Sequence, residues 1–233
     1  MTLDKAKIIV TGGSSGIGKE TAKLLVTKGA KVLITGRDKA KLESVAADIG
    51  AIGIHFDIGD LGKIPEKAQE AVALLGGVDV LINNAGIGTF SKLGDINIED
   101  MQRVYTTNVF GLTLLTQEVA EIFKLNNYGN IINIGSTASQ KGFAAGTVYA
   151  ASKFALRGMT QCWQAELRPY NIRVSLVNPS EVASAFAAEN REERPEQDNK
   201  LGGVDIAYSI AAILKMRDKG FIPELSVWAT NPF

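Results

Sequence analysis

Lys7-Ile8-Ile9-Val10-Thr11-Gly12-Gly13-Ser14-Ser15-Gly16-Ile17-Gly18 passes from a β-branched apolar run straight into a glycine-rich turn. The run Lys7–Thr11 reads as a buried strand. Lys19 to Lys28 reads as a helix that stops at Gly29. A strand, a glycine-rich turn and a helix in this order make a phosphate site. Glycines let the backbone come close, and the first N–H groups of the helix point at the anion. A merely flexible turn is the alternative, and the order of the three parts favours the dinucleotide site.

The same alternation continues outward. Lys31–Thr35, Ala51–Phe56, Val78–Ile82, Asn130–Ile134, Ile172–Val177 and Glu224–Ala229 read as further strands, with helical patterns between most of them. Repeated strand–helix units at this period predict a parallel sheet with helices on both faces, and ligands in such sheets bind beyond the C-terminal strand ends. After the second strand come Gly36, Arg37 and Asp38. A cation there suits a 2′-phosphate, whereas an acid binds a ribose 2′-hydroxyl. Asp38 is either that acid or the N-cap of the helix from Lys39 to Asp48. We take it as the cap, and so expect NADP before NAD.

Tyr149-Ala150-Ala151-Ser152-Lys153 places a phenol and an ammonium four apart, on one face of a helix. A nearby cation favours the phenolate and would make the tyrosine a usable acid–base. A solvated lysine beside a half-buried tyrosine is the plain alternative for such a pair in isolation. Other groups for acid–base work are scarce, because the 233 residues include one His and one Cys. His55 lies in the apolar run Ile52–Phe56 and reads as structural. A zinc site or a histidine-based triad lacks material, so no metal is expected.

Composition narrows the partners. There are 25 basic and 25 acidic residues, giving zero formal charge, so no field recruits nucleic acid or anionic lipid. No apolar run approaches the ~20 residues of a membrane helix. The start, Met1 to Val10, has no signal-peptide pattern, and a lone Cys162 suits a reducing compartment. A cytoplasmic protein is expected. Asn97 caps a long helical pattern, with Asp100 placed to return the bond. Tyr105-Thr106-Thr107-Asn108-Val109-Phe110-Gly111 puts polar residues and a glycine inside it, which predicts a bend with a functional face.

TGGSSGIG (11–18), NNAG (83–86), the Asn108 of TTNVFG, the Ser136 of IGS, Tyr149-x-x-x-Lys153 and Asn178-Pro179 fall in one order, with Ser136 13 residues before Tyr149. In this the chain resembles the short-chain dehydrogenase/reductases from end to end, most closely their 3-oxoacyl-(acyl carrier protein) reductase-like branch. The resemblance implies a single-domain Rossmann fold over residues 1–233, with a seven-stranded parallel sheet and helices on both faces, and a substrate lid at about 183–201. It implies that Gly12, Ser14, Ser15, Gly16, Ile17 and Gly18 surround the phosphates and adenosine ribose. Arg37 would meet the 2′-phosphate. Asp57 and Ile58 would border the adenine, and Asn83, Ala85 and Gly86 would line the central cofactor path. Pro179, Val182 and Ser184 would border the nicotinamide. Tyr149 would be the acid–base, and Lys153 would bind the nicotinamide ribose and lower the Tyr149 pKa. Ser136 would hydrogen-bond the substrate oxygen, and Asn108 would hold a water leading from Lys153.

The activity so implied is hydride transfer between NADPH and a small carbonyl or alcohol substrate, with a 3-oxoacyl thioester as one substrate. A pterin, diketone or other small-carbonyl reductase is the alternative. A non-catalytic NADP-binding regulatory protein is a reading of a different class, and would need only the phosphate loop. Three departures stand out. Ser180 and Glu181 follow Pro179 where relatives usually have Gly. Ser15 stands where many NADP users carry Arg or Lys. The tail after the last strand is short. Apolar residues on several sides of the Tyr149 helix (Phe154, Met159, Cys162, Trp163) and of the helix from Asn97 predict a homodimer or homotetramer.

Overall fold

The computed structural model describes residues 1–182, 186, 197 and 199–231. Its strands are β1 (Lys7–Val10), β2 (Lys31–Gly36), β3 (Ile52–His55), β4 (Val80–Asn83), β5 (Gly129–Ile134), β6 (Ile172–Pro179) and β7 (Glu224–Val227). They form one seven-stranded sheet in the order β3-β2-β1-β4-β5-β6-β7, and each neighbouring pair is parallel. The expected Rossmann-like α/β architecture is therefore present. The strand ends expected from sequence shift by one or two residues. Ala51, Val78 and Ala229 fall outside their strands, and Asn83 and Pro179 fall inside.

Alternating strand residues face opposite ways, and each set finds its own helices. Ile8, Val10, Ile34, Val80 and Ile82 pack with Leu25 of α1 (Gly16–Thr27), Leu42 of α2 (Lys39–Ile49) and Ile210 of α7 (Gly203–Lys215). Ile9, Leu33, Leu81, Ile131 and Val174 face the other layer. There they meet Ala68 of α3 (Ile64–Leu75), Val119 and Phe123 of α5 (Leu112–Asn126) and Leu167 of α6 (Thr147–Leu167). Cutting a side chain such as Ile82 to Ala in this two-sided core costs about 2–5 kcal/mol.

Local signals set the helix limits. Asp38 accepts from Lys41 N (3.0 Å) and caps α2, as expected. Gly50, Gly76 and Asn127 end α2, α3 and α5 in the left-handed conformation. Asn97 caps α4 (Ile98–Tyr105) through Glu99 N and Asp100 N. The Asp100 carboxylate, expected to return that bond, accepts instead from Arg103 (2.6 Å), one turn along the helix. Between α4 and α5, Thr106–Gly111 forms a π-helical turn in place of the expected bend. Gly111 makes it fit, because a Cβ there would run into the Ile58 carbonyl.

The chain leaves β1 toward β2 and β3 and later leaves β4 toward β5, β6 and β7. Diverging crossovers open a crevice at the C-terminal ends of β1 and β4. Every strand points the same way, so each strand-end motif arrives at that one edge.

Candidate active site

The glycine loop after β1 is tied to the end of β4. Thr11 Oγ1 accepts from the N–H groups of Asn84 and Ala85, each at 3.0 Å. In return Asn84 Nδ2 donates to the carbonyls of Thr11 (2.9 Å) and Gly12 (3.0 Å). Gly12 sits at φ +64, and a Cβ on Gly18 would collide with the Gly12 carbonyl and Asn84 Nδ2. Ser15 is the N-cap of α1 but forms no side-chain cap bond, and the first turn of that helix carries no acidic residue. Such a cradle fits an anionic diphosphate at a positive helix end. Thr11 and Asn84 stand in the quoted motifs, but the sequence assigns them no role, although the doubled asparagine at 83–84 is a signal. Asn83 is the member that does not face the crevice. It is 2% exposed, and its Nδ2 donates to Thr116 Oγ1 (2.8 Å) and Asn133 Oδ1 (2.9 Å) inside the fold.

Beyond β2, Gly36 lies against Ser14, where a side chain would come within 2.9 Å of the serine Oγ. Arg37 follows, 39% exposed, with its Nε 3.9 Å from Asp57 Oδ2. Asp57 also accepts from Gly59 N (2.9 Å), which fixes the turn after β3. His55 Nε2 lies 2.9 Å from the Arg37 carbonyl, a structural contact as expected. Arg37 thus presents a solvent-accessible guanidinium beside the glycine loop, and a surface pair this long holds it weakly. Ile58 is buried behind Asp57.

The second cluster lies between β5 and α6. Lys153 is 5% exposed, and its Nζ donates to the Ile134 carbonyl (2.8 Å). Burial lowers its pKa from 10.5 to about 8. Tyr149 is buried on the same helix face, with Lys153 Nζ 5.8 Å from its ring centroid. The sequence reading expected Lys153 to bring the Tyr149 pKa down. Here burial outranks it and pushes the phenol up, and the Ser136 side chain is the group that pulls it back. Charge and phenol do not touch, while both are stripped of water.

Ser136 is itself held from behind. Its N–H donates to Ser139 Oγ (3.1 Å) and Asn178 Oδ1 (3.2 Å). Asn178 Nδ2 donates to Glu224 Oε1 (2.8 Å), which also takes Gln140 Nε2 (2.8 Å), while Arg157 Nε meets the other carboxylate oxygen (3.1 Å). Glu224 carried no sequence signal, because only the pairing of β6 with β7 brings it there. Asn108, 1% exposed, accepts from Ile87 N (2.9 Å) and donates to the Ile87 carbonyl (2.8 Å) and Ser152 Oγ (3.0 Å). Both its donors are used. A water between Asn108 and Lys153 would have to donate to an oxygen there. Gly86 joins the two, since a Cβ on it would stand 3.4 Å from Asn108 Oδ1 and 3.7 Å from Lys153 Nζ.

The structure therefore gathers Asn108, Ser136, Tyr149 and Lys153 at one end of the crevice and Gly12–Gly18, Arg37 and Asp57 at the other. Pro179 closes β6, and Val182 bridges to Leu201. Ser184 and most of the 183–201 segment lie outside the described residues.

Residues 6–195 match the family described as short chain dehydrogenase. The chain belongs to the short-chain dehydrogenases. It is an oxidoreductase of that family. A curated relative, the NADP-dependent 3-hydroxy acid dehydrogenase of Schizosaccharomyces pombe, is 33% identical over 98% of this chain and 94% of its own length. Six other curated relatives are longer, and this short-chain dehydrogenase spans between 52% and 68% of them. A metagenomic short-chain oxidoreductase solved with NADP is 32% identical, with a TM-score of 0.86 over 99% of this chain and all of that one (100%). A serine dehydrogenase solved with NADP+ is 26% identical, with a TM-score of 0.86 over 94% and 93% of the two chains. Among the described residues no helix is long and apolar enough to cross a membrane.

Proposed function

We propose that this short-chain dehydrogenase interconverts a carbonyl and an alcohol with NADPH as hydride source, and that Tyr149 is the proton donor. One observation carries the reading: the Tyr149 phenol and the Lys153 ammonium are both buried on the same helix face, and the Ser136 side chain holds the phenol's pKa down against burial. The nicotinamide, when bound, supplies the hydride. The chain does the rest. Two hydroxyls converge where negative charge would develop on the substrate oxygen, which is transition-state stabilisation of the oxyanion-hole kind. Tyr149 delivers its proton there, and positioned proton transfer is worth roughly 10²–10⁴ in rate. Lys153 stays mostly protonated at neutral pH and helps Tyr149 recover.

Arg37 supports NADP over NAD, because it sets an exposed guanidinium at the adenosine end, directly after β2. The named activities of the relatives agree with this cofactor. Two of those relatives act, by name, on a 3-hydroxy acid and on serine, which share a hydroxyl two carbons from a carboxyl carbon. A 3-oxoacyl compound is the oxidised form of that pattern and stands as the substrate class. The regulatory alternative is disfavoured, because a sensor has no use for the Ser136–Tyr149–Lys153 cluster.

The test is Tyr149→Phe. The variant should bind NADPH with unchanged affinity and lose turnover, followed by nicotinamide absorbance across a panel of 3-oxo esters. Wild-type-like turnover in it would remove Tyr149 from the mechanism.

A further inference from the structure

Two phenylalanine rings lie against Tyr149, a third lies against one of them, and all three are partly exposed. Phe90 lies edge-on to the Tyr149 ring (centroids 5.6 Å apart, 62°), and Phe186 lies tilted against it (5.3 Å, 55°). Phe143 extends the group through Phe90 (6.0 Å). These rings are 45%, 41% and 51% exposed respectively. Rings placed only for packing would be buried, whereas apolar area held open beside a reactive group marks a ligand surface.

The backbone is built around them. Ser91 N donates to the Ala145 carbonyl (2.9 Å), and Ser91 bridges Gly146, so the loops bearing Phe90 and Phe143 are locked together. Ala145 accepts a left-handed φ of +62 in that joint. Two positions lack a side chain where the rings lie. A Cβ on Gly88 would come 3.0 Å from Phe186 and 3.1 Å from Phe90, and one on Gly146 would come 2.6 Å from Phe143. The rings are seated against bare backbone.

We propose that Phe90, Phe143 and Phe186 form the subsite for the substituent beside the reacting carbonyl. It would take a flat apolar group, aryl before alkyl, in an uncharged 3-oxo ester or thioester. This rests on Tyr149 being the proton donor. Aromatic rings favour offset or edge contacts with a further ring, whereas a free carboxylate placed among them would lose water and gain no partner. Lys92 and Lys141, exposed on the same two loops, are the groups a free acid would have to use instead.

The experiment compares ethyl benzoylacetate, ethyl acetoacetate and acetoacetate. In the wild type with NADPH, kcat/KM should fall in that order, by on the order of tenfold or more from first to last. Phe90→Ala and Phe143→Ala should erase the aryl preference. Phe143→Leu, which keeps apolar volume but loses the flat face, should retain only the alkyl ester. Calorimetric binding of the same three compounds to the NADPH complex of Tyr149→Phe gives the order without turnover. If the wild type turns over none of them but this binding order holds, the subsite stands and the reaction reading fails. Equal or better handling of acetoacetate, or phenylalanine variants that weaken all three compounds alike, would overturn the subsite.

Discussion

Replacing Lys153 by Met should change how stability depends on pH, and the size of the change follows from burial. The side chain is 5% exposed, its ammonium has the Ile134 carbonyl as partner, and its pKa drops from 10.5 to about 8. Below about pH 8 the lysine is protonated in folded and unfolded chains alike, so the full cost of burying the charge is present. Between about 8 and 10.5 the folded chain has released the proton while the unfolded chain still holds it, so stability rises with pH. Above 10.5 both are neutral and the cost is gone. The whole interval corresponds to about 3 kcal/mol, of which roughly 2–3 falls between pH 7 and pH 10. Met has a similar length and no proton to release. Urea unfolding of wild type and Lys153→Met at the two pH values isolates the term, because the other titrating groups are common to both. The stability of the wild type relative to the variant should improve by that amount on going to high pH. A pH-independent difference would mean that the ammonium is solvated, and the low-pKa reading would fail. Turnover should also decline above about pH 8 as Lys153 loses its charge.

Three other outcomes are expected. Arg37→Ala should weaken NADPH binding about ten- to a hundredfold, the worth of a charge-assisted hydrogen bond, and leave NADH binding nearly unchanged; equal losses in a fluorescence titration would return the role to Asp38. Gly18→Ala forces a methyl onto the Gly12 carbonyl and Asn84 Nδ2, so it should cost about 1–3 kcal/mol in urea unfolding and weaken NADPH binding, and an unaltered cofactor affinity would show that the loop tie is not needed. Phe110 on the π-helical turn, Leu114 on α5 and Phe154, Gly158 and Cys162 on α6 are exposed, so at least a homodimer is expected; light scattering giving a mass near 24.8 kDa would refute it.

The strand–helix alternation was legible because a parallel sheet writes buried strands as continuous apolar runs, and each run here ends in glycine, asparagine or another turn former. Asp38 as a cap and the departure from regular helix at Thr106–Gly111 were legible for the same local reasons. What escaped was long-range. Two neighbouring asparagines give no hint of which faces the crevice, and Asn83 turned out to face Asn133, its register partner on β5. Glu224 reaches Ser136 through Asn178, 46 positions away in sequence, and only strand pairing reveals it. The sign of the Tyr149 shift escaped because a spacing of four residues states proximity but not desolvation. The phenylalanine group escaped because its members lie on three separate segments.

The order of strands has a consequence for how such a protein changes. Arg37 follows β2 and Ser136 follows β5, with β1 and β4 between them. Three strand spacings are roughly 14 Å. Groups so far apart, with no protein side chain in common, combine their effects nearly additively, within about 0.3–0.5 kcal/mol. On the proposed reading, cofactor preference and substrate preference can therefore drift independently: a lineage can exchange the cation after β2 without retuning the rings around Tyr149, and the rings can be replaced without disturbing the nucleotide end.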